Sequence, residues 1–128
     1  VKLYHGTNSY FTKFDFSRAG KITLDMSPAG VMGAFFTPDR KYAEDYAIYA
    51  ARWNGGQATI LTADVKISNP AQYHNADLEA LESPEAALEL KQRLIEEGYD
   101  GLEIYAGGRT EYCAFFPKQI KNIREVKQ

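Results

Sequence analysis

The chain has 128 residues, 45% of them hydrophobic, and a formal net charge of −2. That length supports one domain with a core of its own. The balanced charge excludes the basic field of a nucleic-acid binder, and no apolar run is long enough for a membrane-spanning helix. One cysteine forms no internal disulfide, and with two histidines it is poor material for zinc. We therefore expect no metal, no membrane partner and a reducing, cytoplasmic setting. Nothing at the N-terminus resembles a signal peptide, and a strand starts almost at Val1. Residues 1–128 are expected to form one domain, either excised from a longer protein or left by processing.

Lys2 to His5 alternates as a short strand, with Leu3 and His5 on one face. Asn8 to Pro28 carries Tyr10, Phe11, Phe14 and Phe16 without a sustained period, which predicts a long packed loop. Gly30 and Gly33 lead to a brief strand at Ala34 to Phe36. Thr37-Pro38-Asp39 is a helix start, with Thr37 as the expected cap, Pro38 in the first helical position and Asp39 at the positive end of the dipole. The helix should reach about Trp53 and stop at Asn54-Gly55-Gly56. Tyr42, Tyr46, Tyr49 and Trp53 give it an aromatic face beside a small stripe of Ala43, Ala47 and Ala50, which would let it approach a sheet closely.

Thr59 to Ile67 is the clearest strand, ended by Asn69-Pro70, and Asp77 to Glu82 is expected to form a turn of helix. Ser83-Pro84-Glu85 opens a second long helix that buries Ala87, Leu90, Leu94 and Ile95, with Gly98 as its left-handed terminator. Strands follow at Leu102 to Tyr105, Glu111 to Phe116 and Asn122 to Val126, the first two joined through a hairpin-like Ala106-Gly107-Gly108-Arg109-Thr110. The pattern predicts an α+β domain on a bent or split antiparallel sheet with two main helices.

Three groups of residues carry the chemical signal: Tyr4-His5-Gly6-Thr7, then Gly33-Ala34-Phe35-Phe36-Thr37 with Tyr46 eleven positions after Phe35, then Glu111-Tyr112 heading an apolar run that closes at Gln119-Ile120. In this order and spacing they resemble the NAD-binding core of the ADP-ribosyltransferases. The closest resemblance is to the His-Tyr-Glu branch, which includes diphtheria-type toxins and poly-ADP-ribose polymerases. Asn69-Pro70 and Gly98-Tyr99-Asp100-Gly101 are further similar to ADP-ribosyltransferase domains of large phage and mobile-element proteins.

The resemblance implies an ADP-ribosyltransferase-like pair of split antiparallel sheets around an NAD cleft, with NAD as substrate. It implies that His5 bonds ribose hydroxyls of the adenosine part, that Gly6 exposes backbone to the nicotinamide amide, and that Thr7 adds a ribose contact. Phe35 and Tyr46 would sandwich the nicotinamide ring, with Phe36 beside them. Glu111 would bond the 2′-hydroxyl of the reacting ribose and stabilise its oxocarbenium character. Arg18 would clamp the pyrophosphate; its other reading is an exposed loop arginine.

Two positions depart from the branch. Phe35 replaces the usual tyrosine, and Ala43 stands where a serine often holds the nicotinamide amide. Arg109, two before Glu111, occupies a position that carries an acid or amide in arginine-modifying enzymes, which disfavours arginine as acceptor. The expected activity is mono-ADP-ribosyl transfer from NAD to a macromolecular acceptor, protein before nucleic acid. The same site acting on water would be an NAD glycohydrolase. A non-enzymatic NAD- or ADP-ribose-binding module is the third reading, and the retained Glu111 counts against it. An RNA 2′-phosphotransferase would need a basic cleft, and the tail of Lys118, Lys121, Arg124 and Lys127 reads as a solvated strand edge.

Overall fold

The computed structural model describes residues 1–11 and 28–126. Among the described residues, seven strands form two sheets. The three-stranded sheet has the order β1 (Lys2–Thr7), β3 (Thr59–Val65), β7 (Ile120–Glu125), antiparallel throughout. The four-stranded sheet has the order β2 (Ala34–Phe36), β6 (Arg109–Ala114), β5 (Gly101–Ala106), β4 (Pro70–His74). Its outer pair β4–β5 is parallel, and the helices α2 (Asn75–Glu79) and α3 (Pro84–Glu96) make the crossover. Helix α1 (Arg40–Asn54) follows β2. The α+β class and the split between sheets are as the sequence predicts; the parallel pair and β4 are not.

Alternation of side chains sorts the core into layers. Leu3, Phe36, Ala63, Val65 and Ala114 pack between the sheets. Met32, Leu90, Leu94, Leu102, Ile104 and Phe115 fill the space between the four-stranded sheet and α2 and α3. Ala43, Ala47 and Ile60 pack under α1 on the outer face of the three-stranded sheet. The small stripe of α1 is buried, while Tyr49 and Trp53 are 48% and 64% exposed. Its aromatic face is thus only partly a packing face, because the alanines already give the helix its close seat.

The helix ends follow their chemistry with one correction. Asp39, not Thr37, caps α1, accepting from the backbone N–H groups of Lys41 and Tyr42 at 2.9 and 3.3 Å. Pro38 therefore precedes the cap. Ser83 caps α3 through Ala86 N–H at 3.1 Å. Gly107 and Gly108, both at positive φ, make the two-residue turn between β5 and β6.

Gln119 ties the sheets together. It is 8% exposed; its Oε1 accepts from Phe116 N–H at 2.7 Å and its Nε2 donates to the carbonyls of Lys66 and Asp100 at 3.0 and 2.9 Å. One amide thus joins the exits of β3 and β6 to the approach of β5. Gln119→Ala takes a partner from all three backbone groups, of which Asp100 C=O keeps Phe115 N–H at 3.3 Å, and should lower the unfolding free energy by about 2–4 kcal/mol, measured by urea denaturation. A loss below about 1 kcal/mol would mean that water replaces the amide without penalty.

Candidate active site

The site forms where the sheets part. β2 pairs only with Tyr112 to Ala114, so past it, through Glu111 to Arg109, β6 is paired with β5 alone. At Thr37 the chain leaves the four-stranded sheet and bridges to β1: Tyr4 N–H donates to Thr37 C=O at 2.8 Å and Thr37 N–H to Tyr4 C=O at 2.9 Å. The buried Thr37 hydroxyl donates to Thr110 C=O at 3.2 Å and accepts from Asp39 N–H at 3.0 Å. One residue therefore fixes β1, β6 and the start of α1 to the end of β2.

His5 faces this corner from β1. Its Nδ1 lies 2.7 Å from the carbonyl of Phe35. A carbonyl only accepts, so Nδ1 carries the proton and Nε2 is the acceptor nitrogen of the neutral ring. Burial pushes the imidazole below its ordinary range, and the Phe35 bond opposes this in part, so the ring is neutral near pH 7. Its centroid lies 5.6 Å from that of Phe36 and 5.9 Å from that of Phe11, an edge contact in the second case.

Glu111 faces the corner from β6, on the same side of the strand as Arg109 and Cys113. Tyr42, in the first turn of α1, donates its hydroxyl to Glu111 Oε1 at 2.5 Å. The Arg109 guanidinium lies 5.0 Å from the centroid of the Tyr42 ring, and its Nε lies 3.6 Å from Asp39 Oδ2. Cys113 is buried beside them. Burial pushes its thiol well above the usual range, Lys91 opposes the shift and the Glu111 carboxylate adds to it, so it is no nucleophile.

The other sequence-predicted residues divide. Phe35 is half-buried and packs toward α3, and Phe36 is buried between the sheets. Tyr46 is half-buried one turn beyond Tyr42, on the same side of α1. The Thr7 hydroxyl accepts from Ser9 N–H at 3.4 Å. The close approach that Gly6 permits is that of α1, since a Cβ there would lie 2.2 Å from Ala43 O. Ala43 is buried against Gly6 and Ile60, which accounts for its small side chain. Arg18 and most of the loop predicted from Asn8 to Pro28 lie outside the described residues.

Tyr42 and Thr37 are candidate-site residues to which sequence alone gives no such role: there Tyr42 reads as part of an aromatic helix face and Thr37 as the helix cap. A signal existed for Tyr42, which stands four positions before Tyr46 and shares its helical face. Arg109 was legible only as a departure; the fold makes it the partner of that tyrosine.

A two-sheet α+β domain, with a β1 histidine bonded to β2 and a helix tyrosine bonded to a glutamate of β6, is consistent with an ADP-ribosyltransferase-like fold. The profile of the family described as ADP-ribosyltransferase in polyvalent proteins matches residues 1–127, and the chain belongs to that family. No curated protein and no solved structure gives a significant match. Membership gives the domain ADP-ribosyl transfer as its general activity.

Proposed function

We propose that this chain is an NAD-dependent mono-ADP-ribosyltransferase of the His-Tyr-Glu branch, which releases nicotinamide and passes ADP-ribose to a macromolecular acceptor. What supports this reading is that His5 of β1 bonds the Phe35 carbonyl of β2, that Tyr42 of α1 bonds Glu111 of β6, and that the Thr37 bridge ties these elements to one another. The bond between nicotinamide and ribose breaks with its electron pair leaving on nicotinamide, which loses the positive charge of its ring. The ribose carbon gains oxocarbenium character, the acceptor's nucleophile bonds it, and the acceptor's proton passes to solvent.

Each residue has a part in that reading. Glu111 bonds the 2′-hydroxyl of the reacting ribose and opposes its developing charge. The acceptor nitrogen Nε2 of His5 takes a hydrogen bond from a hydroxyl of the adenosine ribose, with Thr7 beside it. Phe35 and Tyr46 flank the nicotinamide ring by stacking, Phe36 backs them, and the Gly6 backbone meets the amide. Arg18 holds the pyrophosphate. The near-neutral charge favours a protein acceptor over nucleic acid, in the cytoplasm of the producing cell or of a host reached by a phage-borne protein.

The test is incubation with NAD labelled in its adenylate part, with and without a cell lysate, followed by protease or nuclease digestion of the product. Label that becomes macromolecular and is released by protease supports transfer to protein. Rapid nicotinamide release with no label transferred would make the chain an NAD glycohydrolase. Within the same reading, Tyr46→Ala should raise the NAD Michaelis constant more than it lowers turnover, and Tyr46→Phe should be mild because stacking survives. Steady-state kinetics decide it; normal NAD use by the alanine variant would reduce Tyr46 to a packing residue.

A further inference from the structure

We propose that Tyr42 is a positioning residue for Glu111, held in place by Arg109. This rests on the transferase reading above and adds to it a residue that acts through the glutamate. Glu111 lies beyond the paired part of β2; its backbone is held by β5 opposite Ile104 and, next to it, by the Thr37 hydroxyl on Thr110 C=O, bonds that do not set a side-chain rotamer. The Tyr42 hydroxyl, donating to Oε1 at 2.5 Å from a different element, supplies the restraint. A carboxylate that must meet a ribose hydroxyl gains from having its rotamer set in advance, because misplacement by about 1 Å costs a large part of the rate.

The tyrosine is itself restrained, at its hydroxyl and over a face of its ring. The Arg109 guanidinium sits over the ring at 5.0 Å and is anchored to Asp39, the residue that caps α1. Arg109 and Glu111 lie two apart on β6 and therefore on one face, so the strand presents a cation to the ring and an acceptor to its hydroxyl. Asp39 caps α1 and Tyr42 lies in its first turn. Helix and strand thus meet through a two-point clasp. A carboxylate offers several acceptor positions on its two oxygens, so a phenol on one is compatible with a ribose hydroxyl on the other.

The experiment is nicotinamide release from NAD by the wild type, Tyr42→Phe, Glu111→Gln and the double variant, with a thermal melt of each. Tyr42→Phe removes one oxygen and keeps the ring. It should lower kcat about tenfold, the size expected for losing a hydrogen bond to a charged group. The NAD Michaelis constant should stay within about twofold, and the melt close to wild type. In the Glu111→Gln background the same change should cost nothing further, because the group it positions is already disabled. A merely structural tyrosine would instead give additive losses that follow stability.

Wild-type kcat in a folded Tyr42→Phe protein overturns the inference, as does a raised kcat, which would mean that the phenol competes with the ribose. Should Tyr42→Phe not fold, Arg109→Gln loosens the same ring from an exposed position, and an about threefold fall in kcat that vanishes beside Glu111→Gln is the supporting result. If the wild type releases no nicotinamide even with the cell lysate present as the source of acceptor, or Glu111→Gln matches it, the transferase reading fails and takes this inference with it. If those two behave as expected and Tyr42→Phe does not, only the role of Tyr42 falls.

Discussion

Replacing Glu111 with glutamine should lower the turnover of NAD by about 10²–10³-fold, the usual cost of one well-placed electrostatic contact to a transition state. Glutamine keeps the size of the side chain and can still bond a hydroxyl. It loses the negative charge, and that charge is needed most when the ribose carbon becomes cationic. NAD affinity should therefore change far less than turnover, because the lost interaction strengthens on the way to the transition state. The Tyr42 hydroxyl retains an oxygen to donate to, and Glu111 is only half-buried, so the melt should stay near that of the wild type. Nicotinamide release and calorimetric NAD binding, measured together, check this. Unchanged turnover in a folded variant would remove the enzyme reading, and equal losses in binding and turnover would make Glu111 a ligand-holding residue.

The second large effect is on folding. Gly6→Ala would set a Cβ 2.2 Å from Ala43 O and 2.9 Å from Ala47 N, both backbone atoms of α1. No rotamer relieves such a contact, so the helix must shift. The substitution would otherwise stabilise by about 0.4–1 kcal/mol, since alanine loses less conformational entropy than glycine and Gly6 is not among the glycines at positive φ. Overpacking against backbone outweighs that gain, and a net loss of about 3 kcal/mol or more is expected by urea denaturation. The displaced helix carries Tyr42 and Tyr46, so any folded fraction should also turn over NAD poorly. A loss below about 1 kcal/mol would show that α1 can slide without consequence.

Local chemistry made parts of this molecule legible from sequence. The Ala43, Ala47 and Ala50 stripe, the Ser83-Pro84 start of α3 and the Gly107-Gly108 turn each encode their structure in consecutive residues or one helical period. β4 was not legible, because Asn69-Pro70 reads as a terminator and the strand begins on that proline. Proline is tolerated there because β4 is an edge, and only Ala71 of the strand is buried. The α1 cap slipped from Thr37 to Asp39 because the threonine is drawn away to bridge β1 and β6, a tertiary demand that no local pattern announces. Gln119 was read only as part of a closing motif; its role depends on carbonyls at Lys66 and Asp100.

The candidate site was legible to the same degree. His5 and Glu111 stand in short motifs, and each bonds a neighbouring element, His5 the Phe35 carbonyl of β2 and Glu111 the Tyr42 hydroxyl of α1. Tyr42 did not stand out among the tyrosines of α1, because helical spacing alone ranks Tyr42, Tyr46 and Tyr49 alike. What separates them is the direction in which the first turn of the helix meets β6, and that direction is set by the Thr37 bridge.

The most direct measurement is a crystal structure of the folded Glu111→Gln protein with NAD bound, the substitution serving to slow its consumption. The nicotinamide ribose should lie within hydrogen-bonding distance of the side chain at position 111, with the nicotinamide ring between Phe35 and Tyr46 and the adenosine ribose on His5. NAD seated elsewhere, such as the groove lined by Lys2, Asp64, Asn122 and Arg124 on the three-stranded sheet, would contradict the assignment.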